Sequence, residues 1–269
     1  MKIFLSKSKL IKLIQKEKNL GFVPTMGAIH LGHISLIKRS ISDCDKTLVT
    51  IFINKPQFNR SIDYKKYPRV LRKDISILRK QKIDYLYIPR NNQIYPNKKK
   101  ENIKISPLGK KLCGRFRPGH FEAVVDVINR FIKIIKPKKI FLGEKDMQQL
   151  KIIEDFVKKN HANIQVIGCK TVREKNGIAY SSRNSLLVDK EKKIASQIYH
   201  LLIKAKKSLI KNKLTINNLK RDIEKLGVKK IDYIKVLDIN KIIRPYKKNS
   251  KYRIFVSYYL RSIRLIDNV

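Results

Sequence analysis

The chain is poor in the residues that mark several functional classes. Its 269 residues include three cysteines, Cys44, Cys113 and Cys169, far apart and odd in number. That pattern suggests neither a zinc knuckle nor a disulfide framework, so a reducing, cytoplasmic location is expected. Ten glycines and nine prolines exclude a collagen-like or low-complexity chain. No apolar run approaches the roughly 20 residues that span a bilayer. The amino terminus, Met1-Lys-Ile-Phe-Leu-Ser-Lys-Ser-Lys, breaks into charge too early for a signal-peptide core, so no membrane partner is expected. Acidic residues are scarce: 21 Asp and Glu stand against 63 Lys and Arg, a formal charge of +42. Such an excess attracts polyanions. The basic residues, however, are spread along the whole chain, without aromatic interleaving or zinc-finger spacing, so no specific nucleic-acid partner is expected. A bias toward Lys, Ile and Asn at tolerant surface positions accounts for the charge.

What is present is enough for a core. With 42% hydrophobic residues, a chain of this length removes roughly three quarters of its unfolded surface on folding. The first two thirds alternate β-like runs with helical periods. Strands are predicted at Leu20–Pro24, Thr47–Ile53, Asp84–Ile88, Lys139–Leu142 and Asn163–Gly168. Between them Ile34, Ile37 and Ile41 keep a helical spacing, as do Phe121, Val124, Val125, Ile128, Phe131, Ile132 and Ile135, with Pro137 as the stop. Leu150, Ile153, Phe156 and Val157 form a third apolar face. This alternation predicts βαβ units and an α/β fold, with a parallel sheet whose ligands sit at the strands' carboxyl ends. After about residue 178 the character changes. A lysine-rich helix (Lys190–Lys211), a second helix (Ile216–Leu226) and two strands (Ile231–Val236, Tyr252–Tyr258) predict a smaller α+β domain. The expected domains are 1–178 and 179–269.

The densest signal is Val23-Pro-Thr-Met-Gly-Ala-Ile-His-Leu-Gly-His33, which runs from a strand through a glycine-bearing turn into a helix opening near Ile34. A phosphate placed there meets backbone N–H groups at the positive end of the helix dipole. Gly27 and Gly32 let the backbone come close. His30 and His33 can donate to phosphate oxygens and stabilise charge as a leaving group departs.

This turn resembles the nucleotide-binding turn of the pantoate–β-alanine ligase family. Four further blocks match that family in order: Ile51-Phe-Ile-Asn-Lys-Pro-Gln-Phe58, Arg117-Pro-Gly-His-Phe121, Phe141-Leu-Gly-Glu-Lys-Asp-Met-Gln-Gln-Leu150 and Ser181-Ser-Arg-Asn184. The resemblance covers nearly the whole chain. It implies a Rossmann-like, parallel-sheet nucleotidyltransferase domain with a smaller carboxyl-terminal domain, usually as a homodimer. It also implies activation of pantoate by ATP, with Mg2+ on the phosphates, to pantoyl adenylate and pyrophosphate. The amine of β-alanine then displaces AMP to give pantothenate.

Site residues follow from the same resemblance. ATP would meet Met26, Gly27, Ala28, Ile29, His30, Leu31, Gly32 and His33, then Gly143, Glu144, Lys145 and Asp146. It would also meet Val172, Tyr180, Ser181, Ser182 and Arg183. His33, His30 and Lys145 would be catalytic: His33 assists pyrophosphate departure and the Lys145 ammonium holds the α-phosphate. Gln57 and Gln149 would bind pantoate, as uncharged amides that hold hydroxyls and a carboxylate without neutralising the nucleophile. Gln57 would also lie near β-alanine, and Asn54 could share that polar wall. The metal ligands are not identified. Asp146 reads equally as a helix cap or a nucleotide contact. Arg117 and His120 read as pyrophosphate contacts or as caps of the helix opening at Phe121. His161 and His200 read as ordinary histidines.

Two departures from the family pattern stand out. The usual Asn-Pro-x-Gln-Phe becomes Asn54-Lys55-Pro56-Gln57-Phe58, which moves the fixed φ by one residue and adds a cation beside the pantoate wall. Ala123 stands where glycine is common. Two alternatives compete with the ligase: another H-x-G-H nucleotidyltransferase acting on a phosphorylated acceptor, and a basic nucleic-acid-binding protein. The two glutamines and the Gly-Glu-Lys-Asp block oppose the first, and the dispersed charge opposes the second.

Overall fold

Apolar strands and amphipathic helices alternate through the first part of the computed structural model, which describes residues 1–96, 103–210, 216–238 and 252–269. The chain opens with β1 (Lys2–Phe4), α1 (Lys7–Ile14), β2 (Leu20–Thr25), α2 (Leu31–Asp43) and β3 (Lys46–Ile51). It continues through the short α3 (Ser61–Lys65), then α4 (Leu71–Lys80), β4 (Tyr85–Tyr87), α5 (Asn91–Ile94) and α6 (Cys113–Phe116). After these come α7 (His120–Ile135), β5 (Lys139–Gly143), α8 (Met147–Asn160) and β6 (Gln165–Cys169). Last are α9 (Asp189–Ile210), α10 (Ile216–Lys225), β7 (Lys230–Asp238), β8 (Tyr252–Leu260) and β9 (Ile263–Asn268). Contacts divide the chain into two compact units: Met1–Glu144 with Gln149–Lys170, and Lys145–Gln148 with Thr171–Val269.

In the first unit six strands form one parallel sheet in the order β1-β4-β3-β2-β5-β6. Side chains alternate across β2. Phe22 faces Phe131 of α7, ring centroids 5.6 Å apart, and Phe131 also meets Phe52 and Tyr87. Val23 faces the opposite side, in one core with Leu36 and Ile37 of α2 and Leu78 of α4. Gly21 allows α2 to lie close, because a Cβ there would stand 2.2 Å from Ser40 Oγ. The strand order reverses between β2 and β5, the switch point at which doubly wound sheets bind ligands. Here β2 pairs with β3 over six residues but with β5 over only two, Gly21↔Lys139 and Phe22↔Ile140. Pro24 has no N–H to extend that ladder, so the strands part toward their carboxyl ends.

The second unit holds the antiparallel sheet β7-β8-β9. Its core joins Ile198 and Leu202 of α9, Leu219 and Ile223 of α10, and Ile234, Ile254 and Val256 of the sheet. The fold is thus Rossmann-like with a smaller antiparallel α+β part, as expected. The predicted strands and long helices are all present, with ends shifted by a few residues. Lys211, the expected end of the lysine-rich helix, lies outside the described residues. Seven elements escaped the sequence reading: β1, α1, α3, α4, α5, α6 and β9. The three cysteines are free and buried. Burial pushes the Cys44 thiol up and that of Cys169 to about 11, so both stay protonated and act as packing groups. Among the described residues no helix is long and apolar enough to cross a membrane.

Gly21→Ala is expected to cost about 1–3 kcal/mol by overpacking α2 against β2. Urea unfolding measures this, and an unchanged midpoint would mean that α2 can move aside freely.

Candidate functional site

The backbone turn that follows β2 is built by contacts from distant segments. Thr25 donates its hydroxyl proton to Thr50 O at 2.6 Å and accepts from Gly27 N at 3.2 Å. Gly27 and Ala28 then adopt φ values of +81° and +51°. For Ala28 the left-handed conformation costs roughly 1–2 kcal/mol. Asp74 of α4 offsets this: Oδ2 accepts from Ala28 N at 2.9 Å and Oδ1 from Ile29 N at 2.8 Å. Both are charge-assisted bonds, and Asp74 is only 1% exposed. The sequence predicts that this turn offers its N–H groups to a phosphate. The structure narrows that expectation, because the Ala28 and Ile29 donors face Asp74. An anion would instead meet the first turn of α2, whose N–H groups have no intrahelical acceptor.

The helix also begins earlier than expected. Ile34 N donates to His30 O at 3.0 Å, closing the first turn of α2, so the helix opens at Leu31 and His30 is its N-cap. The rings of His30 and His33 stack, centroids 4.0 Å apart and planes 25° from parallel. His33 Nδ1 accepts from His30 N at 3.4 Å. With Nδ1 accepting, neutral His33 carries its proton on Nε2, which is therefore its donor. Met26 and Gly32 are half-buried, and Leu31 is exposed.

Gln57 sits beside this turn. Its Nε2 donates to Met26 Sδ at 3.1 Å, and its Oε1 accepts from Asn54 Nδ2 at 3.1 Å. Asn54 is itself 1% exposed and is held by Tyr95 and Ala123: Tyr95 Oη donates to its Oδ1 at 2.8 Å, and its Nδ2 also donates to Ala123 O at 3.2 Å. Asn54 thus braces Gln57. Burial pushes the Tyr95 hydroxyl far up, which keeps it a donor. Arg130, paired with Asp126 at 2.7 Å, lies over the Tyr95 ring at 4.6 Å. Pro56 and Lys55 form a 3-10 turn with Gln57. Lys55 is exposed, its ammonium 5.9 Å from the Tyr64 ring centroid.

Arg117 and His120 take a role absent from both sequence readings. His120 Nδ1 and Arg117 Nη2 both bond Gln57 O, at 2.8 and 3.1 Å, and Arg117 Nη1 lies 3.0 Å from His120 Nε2. A guanidinium only donates, so His120 Nε2 accepts and Nδ1–H donates to Gln57 O. The pair therefore holds the main chain that carries the Gln57 amide. Gln149, on α8, is half-buried in the same unit. His161 bonds Asn129 at 2.8 Å and His200 is exposed, in keeping with ordinary roles.

Gly143 ends β5 and Glu144 follows it, both in the first unit, while Lys145 and Asp146 belong to the second. Lys145 is 19% exposed, its Nζ 3.9 Å from Asp146 Oδ1. Asp146 immediately precedes α8, the place of an N-cap. Elsewhere in the second unit Tyr180 N donates to Val172 O at 3.1 Å, so these two residues face each other across a hairpin. Ser181 Oγ accepts from Arg183 N at 3.2 Å, capping a 3-10 turn over Ser182–Leu186. Sequence reasoning missed Asp74 and Tyr95. No local motif marks either, and both act on partners more than 40 positions away.

Comparison with known proteins gives concordant matches. The family model described as pantoate-beta-alanine ligase matches residues 2–269. A pantothenate synthetase of Sulfurihydrogenibium sp. is 37% identical over 266 residues, covering 97% of this chain and 95% of the relative. One from Clostridium botulinum is 39% identical over 259 residues, covering 94% and 92%. The crystal structure of pantothenate synthetase from Thermus thermophilus superposes with a TM-score of 0.91 at 29% identity, covering 100% of this chain and 99% of that one. The pantoate-beta-alanine ligase of Francisella tularensis, complexed with beta-gamma ATP and beta-alanine, gives a TM-score of 0.85 at 35% identity, with 100% and 97% covered.

Asp74→Asn retains one acceptor but turns an NH2 group toward a main-chain donor. It is expected to destabilise the protein by about 2 kcal/mol, and an unaltered urea midpoint would refute the role of the carboxylate. Tyr95→Phe leaves Asn54 Oδ1 without this donor in the core, at an expected cost of about 1–3 kcal/mol by the same measurement. No loss would show that water replaces the hydroxyl.

Proposed function

The chain belongs to the pantoate–β-alanine ligase family, and on that premise we propose that it condenses pantoate with β-alanine at the expense of ATP, through a pantoyl adenylate. Family membership makes it a carbon–nitrogen ligase. One contact carries the finer reading: Gln57 Nε2 donates to Met26 Sδ at 3.1 Å. The amide proposed for pantoate thus lies against the turn proposed for ATP, as transfer of an adenylyl group to a carboxylate requires.

In the first step a pantoate carboxylate oxygen attacks the α-phosphorus, and the bond to pyrophosphate breaks. His33 donates from Nε2 to the departing oxygen, with His30 stacked on it, and Lys145 holds the α-phosphate. Gln57 and Gln149 bind pantoate, and Gln57 also borders β-alanine. In the second step the free amine of β-alanine attacks the acyl carbon and loses a proton to solvent. The carbon–oxygen bond breaks, and AMP leaves with the oxygen that came from pantoate. Orientation of two bound reactants supplies much of the rate, and no protein nucleophile is needed.

The remaining assignments are part of the same proposal. Met26–Gly32, Gly143, Glu144, Asp146, Val172, Tyr180 and Ser181–Arg183 bind ATP. Among the described residues no group of three or more His, Cys, Asp or Glu could hold a metal. In this proposal Mg2+ would accompany the nucleotide phosphates, where it would neutralise phosphate charge. The protein is proposed to act as a cytoplasmic homodimer without a specific nucleic-acid partner.

The test is pantoate labelled with 18O in its carboxylate, incubated with Mg-ATP and β-alanine. One label is expected in AMP, and AMP free of label would exclude the adenylate. His33→Ala and Lys145→Ala are each expected to lower kcat by orders of magnitude with an unchanged circular-dichroism spectrum. Near wild-type turnover would remove that residue's role.

A further inference from the structure

The sequence segment Ile263-Arg-Leu-Ile-Asp-Asn268 entered none of the motifs above, yet as β9 it carries a buried polar network within the second unit. Asn268, 4% exposed, donates from Nδ2 to the main-chain oxygen of Lys145 at 2.8 Å. Its Oδ1 accepts from Arg253 Nη1 at 2.7 Å. A guanidinium has only donors, so this contact settles the amide's orientation and directs Nδ2 at Lys145.

The neighbouring residue ties in a second segment. Arg173 grips Asp267 through two parallel bonds of 2.7 and 2.9 Å, and its Nη2 also donates to Asn268 O at 3.1 Å. Its guanidinium stacks on Tyr199 at 4.4 Å. Arg173 follows Val172 directly, in the hairpin where Tyr180 N bonds Val172 O. One strand end therefore anchors both the Lys145 turn and the hairpin bearing Val172 and Tyr180.

We infer that Asn268 is a positioning residue of the ligase, which sets the Lys145 main chain so that its ammonium is delivered to the nucleotide. The inference rests on the proposed role of Lys145. Asn268 acts through the Lys145 main chain, which its amide holds. Rigid placement matters because a displacement of about 1 Å in a catalytic group can cost roughly a hundredfold in rate.

The test uses full-length Asn268→Asp, Lys145→Met and the double variant, each assayed for AMP formation over ranges of ATP and pantoate. In Asn268→Asp an acceptor faces the Lys145 carbonyl while the contact with Arg253 is kept. Its kcat is expected to fall tenfold or more and its KM for ATP to rise, with KM for pantoate within twofold of wild type. The double variant is expected to be no more than twofold slower than Lys145→Met alone, because both changes remove one function. Three results would overturn the inference: a fast Asn268→Asp beside a slow Lys145→Met, an equal rise of both KM values, or losses that multiply in the double variant. Near wild-type turnover by Lys145→Met would remove the reading of Lys145, and this inference with it; the two failures are told apart by which single variant is fast. Should Asn268→Asp fail to fold, Arg253→Gln, which leaves the Asn268 amide in place, is expected to give the same signature at smaller size. Wild-type kcat and KM for ATP in that variant would likewise overturn the inference.

Discussion

The site in the first unit depends on one buried carboxylate, Asp74, and the two main-chain N–H groups it receives from Ala28 and Ile29. Removing a carboxylate from water costs several kcal/mol, which is recovered only when its lone pairs meet good donors. Here the donors are those of a turn that would not otherwise hold two successive left-handed residues. Each side thus stabilises a state that would be unfavourable alone. The start of α2, and with it the stacked pair His30 and His33, follows from the resulting backbone direction.

Substrate-side residues obey a similar logic of remote support. Gln57 lies in a 3-10 turn of three residues, too short to fix a side chain by itself. Its amide is oriented by Asn54, which is held by Tyr95, which carries the Arg130 guanidinium on its ring. Its main-chain carbonyl is held by His120 and Arg117. The displaced proline, Pro56, falls inside this support, and Lys55 turns outward toward Tyr64. Meanwhile Pro24 shortens the ladder between β2 and β5, opening the sheet where its strand order reverses.

The charge imbalance also has a structural side. Lysines cover the surface, while several of the scarce acidic residues sit inside as acceptors. Asp74 receives main-chain N–H groups, Asp126 pairs with Arg130, Asp232 with Arg264, and Asp267 with Arg173. Glu191 pairs with Arg261, and that hydrogen bond holds its carboxyl below the ordinary range. A surface position tolerates a change of charge at little cost, whereas a buried arginine or an unpaired N–H does not tolerate loss of its acceptor.

Hydrophobic periodicity made the parallel strands and long helices legible in the sequence, because burial on one or both faces imposes a repeat that the residues display directly. The strand-turn-helix around His30 and His33 was legible for the same reason, being local. The short β1 and the charged β9 and α4 were not, since three to ten residues broken by Lys, Arg or Asp carry no clear period. Amino-acid order by itself determined which strongly periodic segments become strands and helices, which chemical groups are available, and the family. Tertiary structure decided that Asp74 rather than a free N–H row shapes the turn, that Asn54 and Tyr95 orient Gln57, and that Asn268 reaches Lys145. Those decisions join residues between 3 and 123 positions apart. A hydrogen bond is specified by angles and ångströms in space, which sequence spacing does not encode.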